Sequence, residues 1–131
     1  MKDIPASEFQ KKVNELLVRH KSVIDTLSKM QESTAKVNRS VCKAVTYCGC
    51  LSINAARQTY PTDASWKECR ESMDTHLTGE LCESCRESIE EKIGDNLFYL
   101  AAICSLLDMN MEELFGKELE RLKTLGYFRL Y

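Results

Sequence analysis

A chain of 131 residues is long enough to bury a hydrophobic core of its own, so a single domain spanning 1–131 is expected. Its net charge is -2, with 18 basic and 20 acidic side chains interspersed, which lacks the basic stripe of a nucleic-acid binder and argues against such a partner. The longest apolar run, Leu97 to Leu107, falls short of the ~20 residues a membrane-spanning helix needs, and Met1-Lys-Asp-Ile-Pro5 lacks a signal-peptide core, so no membrane role and a cytoplasmic location are expected.

Ser7 with Gln10 reads as a capping box, and Phe9, Val13, Leu16, His20, Ile24 and Leu27 recur at helical spacing, which predicts a helix from about Ser7 to Gln31. His20 falls on the apolar stripe and reads as a hydrogen-bonded core histidine. After a polar break at Glu32-Ser33-Thr34, a second stripe runs through Val37, Val41, Ala44, Cys48, Leu51 and Ala55. Pro61 ends that helix, and a short one from about Ala64 to Asp74 turns Trp66, Cys69 and Met73 inward. Gly79 marks a turn.

Beyond it, Cys85, Ile89, Ile93, Leu97, Leu100, Cys104 and Leu107 define another long helix. From Leu97 this helix is apolar all round, which predicts the most buried element. Asn110 with Glu113 caps a last helix that stops at Gly126, leaving the aromatic tail Tyr127-Phe-Arg-Leu-Tyr131. No segment alternates convincingly with period two, so the expected fold is an all-α bundle of four or five helices.

Seven cysteines are many for this length, and an odd number without an export signal argues against a disulfide framework. Cys48-Gly49-Cys50 and Cys82-Glu83-Ser84-Cys85 form two close pairs far apart in the chain, the way four-ligand sites are assembled from two pieces of a fold. Four thiolates suit Zn²⁺, and an iron–sulfur cluster uses the same ligands. Cys82 and Cys85 share a helical face, but Cys48 and Cys50 would point about 200° apart around an unbroken helix. A metal site therefore requires a distortion at Gly49, whereas plain packing predicts a straight helix.

Two other readings of the thiols stand beside this one: buried packing residues, and a Cys82–Cys85 redox sensor whose thiolate is favoured by a helix N-terminus. Cys42, Cys69 and Cys104 lack partner spacing and read as packing; His76 is a substitute ligand or a turn residue. Glu91 and Asp95, with Glu87 or Glu90, lie where two carboxylates four apart can share a Mg²⁺ bearing a phosphate substrate, although a solvated acidic face has the same spacing.

The segment Glu90-Glu-Lys-Ile-Gly-Asp-Asn-Leu-Phe-Tyr-Leu100 and the capped helix after it resemble the MazG-like all-α nucleoside triphosphate pyrophosphohydrolases. The resemblance implies a Mg²⁺ site of four carboxylates, cleavage of a small nucleotide to its monophosphate and pyrophosphate, and a homo-oligomer. Asp95 matches the family pattern directly, while Lys92 stands at a glutamate position. Thr46, Tyr47 and Cys50 stand where the glutamates of the E-E-x-x-E motif belong. The implied protein has its carboxylate site replaced or supplemented by cysteines, its pyrophosphohydrolase activity eroded, and a role in interaction or regulation. The wider pattern of RHKS, CGC, GELCESCRE and NLFYL also resembles an uncharacterised family of small bacterial proteins, which implies no particular activity.

Overall fold

A computed structural model describes residues 4–126, so the aromatic tail and the first three residues lie outside it. Among the described residues there are five α-helices: α1 (Ala6–Leu16), α2 (Val23–Lys43), α3 (Trp66–Ser72), α4 (Glu83–Leu106) and α5 (Met111–Leu125). The all-α class is as expected, with one addition: β1 (Leu51–Ile53) and β2 (Leu77–Gly79) pair antiparallel in a two-stranded ribbon. Three-residue strands are too short for a two-residue period to stand out, which is why the sequence did not reveal them. No described helix is long and apolar enough to cross a membrane.

The chain divides into two compact units, residues 1–37 with 91–131, and residues 38–90. In the first, α1 packs against α5, and Val13, Leu17, Ala101, Ala102 and Met111 form a core flanked by Phe9, Phe98 and Leu106. Ala101 and Ala102 are fully buried, and their small side chains let neighbouring helices approach closely. Gln10 fastens α1 to the turn before α5. Its amide donates to the Ser105 hydroxyl and the Met109 carbonyl, and its oxygen accepts from the Met111 N–H at 2.8 Å. The expected capping box is therefore replaced: Pro5 occupies the N-cap without a side-chain bond, and Gln10 serves tertiary packing.

The predicted helix Ser7–Gln31 is two helices. Leu17 leaves α1 in an extended conformation and enters the core, and α2 starts at Val23. The buried Thr26 hydroxyl donates to the carbonyls of His20 and Ser22 and so secures the intervening turn. His20 lies in that turn, half-buried, with its ring edge-on to Tyr99 at 6.5 Å. Periodicity missed the break because no Gly or Pro marks Leu17–Ser22 and the apolar spacing continues across it. The polar break expected at Glu32-Ser33-Thr34 is instead continuous helix. Ser33 is buried, and Asn96 of α4 donates to the Ser33 and Thr34 hydroxyls at 3.1 and 2.8 Å.

In the second unit Ala44, Leu51 and Ile89 are buried, with Val45, Cys50, Leu81 and Cys85 packed around them. The Ser65 hydroxyl caps α3 by accepting from the Glu68 N–H, as its position before the helix suggests. No residue of α3 is buried and Trp66 is 48% exposed, which corrects the inward face expected for it. A seven-residue helix is too short to bury a broad face.

Candidate metal centre

The segment around Cys-Gly-Cys departs from the regular helix where a metal site requires it to. After Lys43 the helix widens into a π turn over Ala44–Cys48, closed by the Gly49 N–H donating to the Ala44 carbonyl at 2.9 Å. Gly49 is left-handed at φ 81°, which glycine adopts without the steric cost a side chain would impose. The chain then enters β1, so the stripe predicted to continue as helix through Ala55 ends at Cys48. The ~200° divergence of Cys48 and Cys50 belongs to an unbroken helix. The π turn and the left-handed glycine remove it.

Ribbon register brings the second pair to the first. Leu51 faces Gly79, Ser52 faces Thr78 and Ile53 faces Leu77, so Cys50 and the Glu80–Cys82 segment leave the same end of the ribbon. Gly79 has φ 92°, and a Cβ there would strike the Cys50 carbonyl oxygen. A side chain at this position is therefore excluded by contact as well as by conformation. The sequence marked Gly79 only as a turn; its close approach to Cys50 is a property of the pairing.

Cys82 stands immediately before α4, and its sulfur accepts from the Cys85 N–H at 3.4 Å while its carbonyl accepts from Arg86. Cys85 follows in the first turn. One sulfur from each of Cys48, Cys50, Cys82 and Cys85 lies within 4.8 Å of all the others, and Cys48 and Cys82 are 3.8 Å apart. This is the expected ligand set brought together, and it can hold a metal ion. Among the described residues no other group of three or more His, Cys, Asp or Glu side chains comes close enough to share one ion.

The thiols are electrostatically unlike. The Cys85 N–H, then the neighbouring thiols, bring Cys82 down from its ordinary 9.0 to about 7. Cys85 is pushed up to about 12, first by Cys82 beside it and then by desolvation. Cys82 is thus the thiol of the set that gives up its proton most readily. A cation is needed to hold four thiolates together.

The remaining expectations fall elsewhere. His76 is left-handed at φ 61° with its ring beside the Gln58 amide, away from the cysteine set. Cys42 is exposed, with its sulfur 3.8 Å from the Asn38 side-chain oxygen, so it is not the packing residue expected; Cys69 and Cys104 are half-buried. Glu91 is largely exposed and 3.9 Å from Lys92. Asp95 lines a cavity of about 150 Å³ with Lys29, Glu32, Ser33, Lys36 and Tyr99. The Glu32 carboxylate accepts from Lys36 at 2.9 Å and Lys29 at 3.2 Å, which holds its pKa below the usual carboxylate value. Sequence spacing gave no sign of these lysines, since they face Asp95 from another helix.

The fold and the site define an all-α chain carrying a four-cysteine cluster at the base of a short ribbon. No protein-family model, curated protein or solved structure matches it.

Proposed function

We propose that Cys48, Cys50, Cys82 and Cys85 bind one Zn²⁺ as a closed structural site, and that the protein works through interaction or regulation in the reducing cytoplasm. The observation that carries this reading is the sulfur geometry. A tetrahedron with Zn–S bonds of about 2.3 Å has edges of about 3.8 Å, which is the Cys48–Cys82 separation. All the remaining separations fall within 4.8 Å, so small rotations complete the shell. Thiolates are poorly matched to Mg²⁺, and four of them leave no open position for water or substrate. An iron–sulfur cluster uses the same ligands and is distinguished by its colour.

The ancestral scaffold in this proposal is MazG-like with an eroded carboxylate site. Of the positions that the resemblance assigns to carboxylates, Thr46, Tyr47 and Cys50 carry none, and Lys92 brings a positive charge 3.9 Å from Glu91. A second reading, a divergent Mg²⁺-dependent nucleotide pyrophosphohydrolase using Glu91 and Asp95, is favoured by one observation: Asp95 lines a cavity with two lysines able to meet phosphate. Pyrophosphate release from a nucleoside triphosphate panel, lost in Asp95→Ala, would support it.

Metal analysis of reduced, natively purified protein tests the leading reading. The expected result is one zinc per chain, lost in Cys48→Ser or Cys82→Ser, with a lower melting temperature in chelator. Structural zinc can supply ~10–16 kcal/mol in small domains, as much as a whole domain's stability. Metal-free protein whose melting is indifferent to chelator would refute the proposal.

A further inference from the structure

The four-cysteine site has a dry edge and a wet one. Cys50 and Cys85 pack around the buried Ala44, Leu51 and Ile89, and the Cys50 sulfur also lies 3.7 Å from the Ala44 carbonyl of the π turn. Cys48 and Cys82 take no part in that cluster. Cys48 is exposed at the last position of the π turn, and the half-buried Cys82 lies beside it with the sulfurs 3.8 Å apart. A small solute therefore meets Cys48 first and finds Cys82 next to it.

Bringing these two sulfurs closer by about 1.8 Å turns the contact into a disulfide of ~2.05 Å. Metal ligation keeps all four sulfurs deprotonated, and the thiolate is the form that an oxidant attacks. Among the described residues, the unit 38–90 buries only Ala44, Leu51 and Ile89 of its hydrophobic side chains. So small a core leaves the metal as the main brace of that unit.

We infer that the site is an oxidation switch, in which a peroxide joins Cys48 to Cys82, the zinc is released and the unit 38–90 loosens. The inference rests on the zinc reading above and adds a regulator to it. The Cys48 thiolate attacks one peroxide oxygen: an S–O bond forms, the O–O bond breaks, and the departing hydroxide takes a proton from solvent to become water. The Cys82 thiolate then attacks the Cys48 sulfenic acid. An S–S bond forms, the S–O bond breaks, and the second hydroxide is protonated in turn. Two thiolates have lost two electrons, and the peroxide has gained them as two waters. Only Cys50 and Cys85 then remain as ligands, half of the four-sulfur shell that a structural zinc requires. A dithiol reverses the step by disulfide exchange and is itself oxidised. Burial on the core side sets Cys85 apart from this chemistry, so the bridge crosses between the two cysteine pairs and does not close Cys82 onto Cys85.

Treating the reduced, zinc-loaded full chain with hydrogen peroxide tests the inference, with zinc release read by a chromophoric chelator and cysteine pairing by peptide mapping after alkylation. One zinc should be released for each Cys48–Cys82 bridge formed, amide hydrogen exchange should rise across residues 38–90, and a dithiol with fresh zinc should restore the starting state. Cys42→Ser, which removes the other exposed thiol, should release zinc at the wild-type rate. Zinc retained in peroxide, a Cys82–Cys85 or Cys48–Cys50 bridge in place of the expected one, or release abolished in Cys42→Ser would each overturn the switch and leave the zinc reading standing. Reduced protein that holds no zinc overturns the zinc reading, and the switch with it.

Discussion

Replacing Gly79 by alanine separates the ribbon's role from that of the cysteines themselves. The residue has φ 92°, and its added Cβ would meet the Cys50 carbonyl, backbone that cannot rotate away. Conformational strain alone costs about 1–3 kcal/mol. Relieving the contact also requires β1 and β2 to part where Leu51 faces Gly79, which separates the two cysteine pairs. The expected total is at least ~3 kcal/mol, or about 100-fold in zinc affinity at 1.4 kcal/mol per tenfold, because binding and folding of the site share one free energy. Gly49→Ala is the control. It has φ 81° but nothing within 4 Å of its Cβ, so only the left-handed cost of about 1–2 kcal/mol applies. Competition against a chromophoric chelator, alongside thermal melting, measures both variants. Equal zinc affinity in Gly79→Ala and the wild type would refute the argument that ribbon register assembles the site.

Gln10→Ala removes three hydrogen bonds that join α1 to the α4–α5 turn, so it should cost about 1–3 kcal/mol and lower the melting temperature by several degrees, with zinc affinity unchanged. In metal-free, reduced protein the thiols set a pH optimum. Cys82, lowered to about 7 in the fold against 9.0 unfolded, gives stability that is complete above pH 9 and lost as pH falls through 7. Cys85, raised to about 12, gives stability that is complete below pH 9 and lost as pH rises through 12. Melting temperature should therefore peak near pH 9 and decline on both sides. A variant with all four cysteines changed to serine should lose the peak, and a wild-type profile without one would contradict the assigned shifts.

Several features were legible without coordinates because they depend on neighbours in the chain. Helical spacing located α4 and α5, Asn110 caps α5 by accepting from the Glu113 N–H, and the two cysteine pairs announced a four-ligand set. Even the requirement for a distortion at Gly49 followed from the rotation between residues two apart in a helix. The division of the first helix was not legible, because the turn at Leu17–Ser22 is secured by the Thr26 hydroxyl and by burial of Leu17, neither of which disturbs the apolar period. The roles of Gln10 and Asn96 were hidden for a related reason: their partners are distant in sequence.

What the sequence determined by itself is the all-α class and which thiols form pairs, since both rest on periodicity and local spacing. Tertiary structure alone decided that the pairs meet. That depends on the π turn and on a ribbon whose register is fixed by a glycine lying against the Cys50 carbonyl. Tertiary structure also decided that one face of α4 stays uncovered: Leu97 and Leu100, on the stripe that the sequence reads as the most buried, are 41% and 39% exposed, because burial depends on which helices pack there and not on hydrophobicity alone.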